Sequence, residues 1–162
     1  MKTLCLYYSR TGSTKKAMEL LARITQGELF EYTDGRDRSG LLGYLGACLA
    51  SMRKSFPRVS IQGNPDLAAY DRVIIGMPVW AEGPCVVGRA LLAQFGQELP
   101  KEVYYVVTHM AKNDYMAKIR ALDRLLGRPC SGQVSVQTKG HDYLQEIRAF
   151  GEGLAKQSES RS

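Results

Sequence analysis

The residues with the most chemical promise are Ser9-Arg10-Thr11-Gly12-Ser13-Thr14, in which four hydroxyls, a guanidinium and a glycine fall together. An apolar run, Thr3-Leu4-Cys5-Leu6-Tyr7-Tyr8, leads in, and a helical pattern from Lys15 to Ile24 leads out. Such a loop sits where a first helical turn presents N–H groups without partners and a partial positive charge. Backbone donors, hydroxyls and the dipole can together hold a phosphate there. Gly12 lets the backbone turn tightly and approach an anion. The same residue types also suit a plain strand-to-helix turn capped by Ser9, Thr11 or Ser13, and residue types alone leave both readings open. The triphosphate loop is excluded, because its Gly-Lys-Ser/Thr is missing, and so is the dinucleotide Gly-x-Gly-x-x-Gly fingerprint.

Two further stretches carry candidate chemistry. Trp80, the only tryptophan, lies in Pro78-Val79-Trp80-Ala81-Glu82-Gly83-Pro84, after the apolar run Arg72 to Met77. A large aromatic in a loop can stack on a flat ring, an interaction of roughly 1–3 kcal/mol per base in nucleic-acid systems; it can equally anchor the loop. Thr108-His109-Met110 follow another apolar run. His109 is either a hydrogen-bond partner or proton donor near neutral pH, or a loop histidine without that role. His141, near the last helix, reads as structural or exposed. Cys5, Cys48, Cys85 and Cys130 are far apart with no Cys-x-x-Cys pair, which points to reduced thiols in a cytoplasmic protein rather than a metal cluster. Cys85, at a predicted helix start, is a reactive thiol or a small buried one, and the buried thiol is the commoner case. No residue set stands out as a catalytic acid–base pair or a metal site.

The elements that must position these residues follow from periodicity. Thr3–Ser9 reads as a central strand buried on both faces. Ser13 to Thr25 is a helix with Ala17, Leu20, Leu21 and Ile24 on one face, stopped by Gly27. Glu28 to Tyr32 is a short strand, and 33–39 is a polar turn. Gly40 to Leu49 forms a helix or broken helix before Arg53-Lys54, its glycines at 40, 43 and 46 able to make a close-packing face; Pro57 ends the segment. Arg72–Met77 and Glu102–Thr108 are buried strands. Pro84 suits the first position of a helix from about Cys85 to Phe95. A helix over 114–126, an edge strand over 132–138 and a helix from Asp142 to Lys156 complete the chain. The expected organisation is one domain over 1–156 and a disordered tail over 157–162. Strands alternating with helices imply a doubly wound parallel α/β sheet with helices on both faces. The loops at 9–14, 78–83 and 108–113 then converge at the carboxyl ends of the strands, where ligands bind in such sheets.

With those loops in place, Tyr8-Ser9-Arg10-Thr11-Gly12-Ser13-Thr14-Lys15-Lys16 resembles the FMN phosphate loop of flavodoxins. Tyr70 through Ala81 is similar to the strand and loop that flank the flavin ring in flavodoxin-like proteins. The helix around Gly43-Tyr44-Leu45 and the Asp66–Tyr70 connector also fit, so the resemblance covers about residues 1–150. It implies a five-stranded sheet of order 2-1-3-4-5. It further implies FMN as cofactor, with the phosphate on Ser9, Thr11, Gly12, Ser13 and Thr14, and Arg10 either exposed or reaching it. Pro78, Val79, Trp80 and Ala81, with Glu82 and Gly83 behind them, would line one side of the isoalloxazine, and Thr108, His109 and Met110 the other.

Two positions depart from that family. Glu82 stands where glycine usually follows the tryptophan–alanine pair, and His109-Met110 replace glycines after the fourth strand. Both put in doubt the backbone flip that accompanies flavin reduction. Glu82 either faces the flavin, where its charge would lower the potential, or faces solvent. The net charge of +6 also departs from acidic carrier flavodoxins, which dock on basic partners. The leading expectation is an electron carrier between redox partner proteins, a reductase and an acceptor, with no nucleic acid and no membrane insertion. The alternatives are a flavodoxin-fold FMN-dependent reductase of quinones or similar substrates, and a flavin-free binding module.

Overall fold

The computed structural model describes residues 1–37, 40–51, 56–140 and 142–160. Along the chain run β1 (Thr3–Tyr7), α1 (Ser13–Thr25), β2 (Glu28–Thr33), α2 (Gly40–Ser51), β3 (Ser60–Ile61), β4 (Arg72–Trp80) and β5 (Gly83–Pro84). Then come α3 (Val86–Phe95), β6 (Glu102–His109), α4 (Met116–Arg120), α5 (Leu122–Leu126), β7 (Gly132–Gln137) and α6 (Tyr143–Glu159). Among the described residues the parallel strands lie in the order β2-β1-β4-β6-β7. Counted in chain order, that is the expected 2-1-3-4-5. Two short antiparallel additions were not foreseen: β3 on the outer edge of β2, and β5 folded back on β4.

The central strands read as continuous apolar runs because both faces of the sheet are covered. Leu4, Leu6, Val73, Ile75, Val103, Tyr105 and Val107 point into a core shared with α3, α4 and α5. Their neighbours Cys5, Tyr7, Ile74, Tyr104 and Val106 point the other way, against α1 and α6. Each fully buried Leu or Ile contributes roughly 1.5–3 kcal/mol. Gly76 is the gap on the second face. A Cβ there would collide with Met18 Cγ and Sδ and lie 3.1 Å from Thr14 Cγ2. The missing side chain therefore lets α1 sit directly on β4, and with it the loop that opens α1.

At the opposite end of the sheet lies Arg72, a charged side chain only 1% exposed. Its Nε and Nη2 donate to Thr3 Oγ1 at 3.2 and 2.9 Å, Nη1 to the Leu154 carbonyl at 3.0 Å, and Nη2 to Ser158 Oγ at 3.1 Å. Burial of a guanidinium is tolerated when its donors are satisfied in this way. The contacts bind β1, β4 and the end of α6 together. Accordingly α6 continues through Glu159, past the expected boundary at Lys156, and 157–159 are helical rather than a loose tail.

Several boundaries differ for local reasons. The left-handed residue that ends α1 is Gln26 (φ 52°), not Gly27, whose N–H closes onto the Ala22 carbonyl. The segment expected as a loop at 78–83 is the end of β4 plus a two-residue turn, Ala81-Glu82, because Pro78-Val79-Trp80 extend the strand and Trp80 pairs with Gly83. Pro84 consequently belongs to β5, and α3 starts one residue after Cys85, whose Sγ accepts the Gly88 N–H at 3.3 Å. The single helix expected over 114–126 is two short ones, interrupted where Arg124 N–H bonds back only three residues, to the Ala121 carbonyl. Gly46 faces open space, so it makes no close-packing surface, while Leu42, Leu45 and Leu49 of α2 are exposed. Arg53, Lys54 and His141 lie outside the described residues. Among the described residues no helix is long and apolar enough to cross a membrane.

Candidate functional site

The three stretches expected as loops meet at the carboxyl ends of the parallel strands, the middle one through the end of β4 and its turn, around a cleft of about 150 Å³. From the β1–α1 connection it is lined by Arg10, Thr11, Ser13 and Thr14. From β4 come Pro78, Val79, Trp80 and Ala81, and from the end of β6 Thr108, His109 and Met110. Ala111, Tyr115 and Thr138 complete it. Ala111 belongs to the 108–113 stretch expected at this rim, whereas Tyr115 and Thr138 were not anticipated. Thr138 was within reach of sequence reasoning, since a parallel last strand must end at the same rim; Tyr115 carried no signal.

The opening of α1 is built to receive an anion. Gly12 is its N-cap, at φ 92° with open space around a would-be Cβ, and no side chain of a described residue caps this end. The first intrahelical bond is Lys16 N–H to the Gly12 carbonyl, 3.0 Å. The N–H groups of Ser13, Thr14 and Lys15 come before it, at the positive end of the helix dipole. Ser9 supports the turn from behind: its Oγ accepts the Gly12 N–H at 3.0 Å. Ser9 and Gly12 thus shape the loop and do not line the cleft. Tyr143 of α6 braces it further, its hydroxyl donating to the Ser13 carbonyl at 3.2 Å.

Thr14 and Thr108 are 1% and 3% exposed, and their hydroxyls bond each other at 2.7 Å. This pair ties the start of α1 to the end of β6 across the floor of the cleft. His109 is fixed by two contacts. Its Nδ1 lies 2.7 Å from the Ala111 carbonyl, and its ring packs on Tyr115 with centroids 4.8 Å apart. A carbonyl oxygen only accepts, so Nδ1 carries the proton in that bond and Nε2 is left to face other partners.

Trp80 lies on the rim, as expected, but not in a loop and not projecting. It ends β4, is 3% exposed, and meets Tyr8 edge-on with centroids 5.5 Å apart. Tyr32 packs on the same tyrosine and donates its hydroxyl to the Gly76 carbonyl at 3.0 Å. Burial pushes the Tyr32 phenol well above its ordinary pKa, so it stays neutral. The indole is a wall, held by an aromatic cluster, rather than a flap.

Glu82 and Gly83 do not line this cleft. They belong to a second cavity behind the β4–β5 turn, where the Glu82 carboxylate pairs with Lys118 Nζ at 3.1 Å. Ala81, at φ 56°, is the turn residue between the two cavities. Left-handed backbone at a non-glycine residue is strained and clusters at functional rims.

The sheet order and the rim at its carboxyl edge define a flavodoxin-like α/β protein, and the comparisons agree. Over 83% of this chain and 92% of its own, a flavoprotein from Lactobacillus acidophilus, solved in complex with FMN, is 29% identical with a TM-score of 0.68. A candidate flavoprotein from Bacteroides eggerthii is 20% identical over 95% of this chain and 98% of its own, with a TM-score of 0.72. The two-electron reduced flavodoxin of Megasphaera elsdenii shares the fold at 16% identity and a TM-score of 0.58, over 96% of this chain and 99% of its own. No protein-family model and no curated protein sequence matches the chain.

Proposed function

We propose that the chain is an FMN-binding redox protein of the flavodoxin fold, carrying electrons between protein partners in the cytoplasm. The observation that carries this reading is the uncapped opening of α1, with Thr11 and Ser13 beside it, on the same rim as the Trp80 wall. The FMN held by the similar Lactobacillus acidophilus protein supports it. The residues fit the group: Thr11, Ser13 and the first N–H groups of α1 would hold the phosphate, with Arg10 at the mouth. Pro78, Val79, Trp80 and Ala81 would flank the ring on one side, and Thr108, His109 and Met110 on the other. When bound, FMN supplies the redox chemistry; the chain orients it and shields one edge from water. A cleft of about 150 Å³ is smaller than the range of about 300–1,000 Å³ usual for sites that bury a whole ligand. The ring would therefore keep an open edge, which suits exchange with a partner protein. A second reading, a reductase acting directly on a small molecule, is favoured by the cavity beside Trp80.

Incubation with FMN, followed by visible absorption and Trp80 emission, tests the cofactor: structured flavin bands and quenched indole fluorescence are expected. A protein that stays colourless, with unchanged emission, would sink the assignment. Turnover of a quinone with NAD(P)H and no partner reductase would replace the carrier reading with the second one.

A further inference from the structure

Helix α2 has no charged residue among its 12 positions. Leu42, Leu45 and Leu49 recur on it at intervals of three and four, which puts them on one face. The helix packs on α3 and β4, but this face is bare: Leu42 is 85%, Leu45 51% and Leu49 64% exposed. A helix without charge on any side is normally covered on every side. At about 18 Å it is too short to cross a hydrocarbon core of about 30 Å. Phe56 is exposed as well. The chain just after it is pinned to α3 by Gln94, whose Oε1 accepts the Val59 N–H at 3.0 Å and whose Nε2 donates to the Val59 carbonyl at 2.8 Å. Segment 56–59 and α2 therefore rest on the same helix. Charge also singles out this part of the chain. Between Asp37 and Asp66 the sequence has no carboxylate and four cations, Arg38, Arg53, Lys54 and Arg58. Four of the six net positive charges thus come from 28 of the 162 residues. Arg58 is exposed beside Phe56.

We propose that the bare face of α2 docks on the surface of an anionic lipid bilayer without crossing it, Leu42, Leu45, Leu49 and Phe56 entering the boundary between headgroups and acyl chains and Arg58 lying among the headgroups. On such a surface, burial of apolar side chains and attraction of nearby Lys and Arg to anionic lipid add together. A second copy of this chain fits the face less well, because a two-fold contact would set each copy's cations against their own kind. A groove on another protein also fits less well: Leu is under-represented among the side chains that dominate protein interfaces, where Trp, Tyr and Arg lead. The proposal is independent of the flavin reading.

The probe is a vesicle of phosphatidylglycerol and phosphatidylcholine in equal parts, with pure phosphatidylcholine as control, sedimented with the full chain in about 0.1 M and about 1 M salt. Binding to the mixed vesicles is expected to be at least tenfold tighter than to the neutral ones and to be lost in the higher salt. Leu45→Gln combined with Leu49→Gln leaves the charge unchanged and should weaken binding at least tenfold. Arg58→Gln should weaken it about fivefold, whereas Lys101→Gln, an exposed cation beside the amino end of β6, should leave it unchanged. Equal affinity for the two kinds of vesicle, or unchanged binding by the leucine variant, would overturn the proposal. So would a loss in Lys101→Gln as large as in Arg58→Gln, which would reduce the effect to net charge alone. Binding to poly-glutamate but not to vesicles would assign the face to an acidic protein instead. A dimer in lipid-free buffer that Leu45→Gln dissociates would assign it to a second copy. If the double variant loses cooperative thermal unfolding, Leu42→Gln, at the most exposed of the three, decides by the same comparison.

Discussion

The hydroxyl pair of Thr14 and Thr108 shows how single residues set the floor of the cleft. Each is buried and each satisfies the other at 2.7 Å. Thr108→Val leaves the Thr14 hydroxyl buried without its partner, a loss of about 1–3 kcal/mol, to be read from urea unfolding midpoints. Thr14→Val with Thr108→Val together should cost less than Thr108→Val alone, since both partners leave at once. Ala81 offers the opposite sign. Its left-handed φ of 56° is costly for a residue with a Cβ, so Ala81→Gly should stabilise the protein by roughly 1 kcal/mol, the relieved strain exceeding the added chain entropy. Of the two positions left open for Glu82, against the flavin or toward solvent, it takes the second. It is exposed and paired with Lys118 at the second cavity. Redox titration of FMN-loaded Glu82→Gln should therefore give an unchanged midpoint potential; a rise would restore a direct electrostatic role.

Among the elements, α1 and β4 matter most, because their close approach fixes the anion-binding loop. Gly76→Ala would drive a methyl into Met18 and Thr14. Overpacking of this kind costs roughly 1–3 kcal/mol, and it should weaken FMN binding as well as lower the unfolding midpoint, since α1 must lift. Thermal unfolding and an FMN titration on the same variant check both effects. This packing was not legible in the sequence, where Gly76 is one glycine inside an apolar strand. What was legible came from strong periodicity: the ends of α1, the continuous runs of β1, β4 and β6, and the convergence of three loops. Strand order came from resemblance, because periodicity says which residues are buried and not which strands are neighbours. The β4–β5 hairpin escaped notice because Pro78 and Gly83 look like loop residues, while their pairing depends on Val79 and Trp80 meeting Pro84 and Gly83. The Thr14–Thr108 bond joins residues far apart in the chain, and no local pattern encodes such a contact.

For the molecule as a whole, buried weak acids set the alkaline limit. Burial pushes the Cys5 thiol from 9.0 to about 12, and Tyr32 and Tyr105 are raised by burial too. A thiol raised in the folded state stays neutral there while the unfolded chain ionises. The stability it protects is complete below pH 9 and is lost as pH rises from 9 toward 12, at up to about 1.4 kcal/mol per pH unit. Urea unfolding from pH 8 to 10.5 should show that decline, and Cys5→Ala, although less stable at every pH, should show a shallower one.

The cation at the far edge has a practical corollary. Thr3 and Ser158 both rest on the Arg72 guanidinium, so the two ends of the described chain leave side by side, about as far from the cleft as the length of β4 allows. Tethering through either end would present the cleft outward to whatever approaches, and a short splice joining those ends, with new ends cut in an exposed turn elsewhere, should yield a permuted chain that still folds.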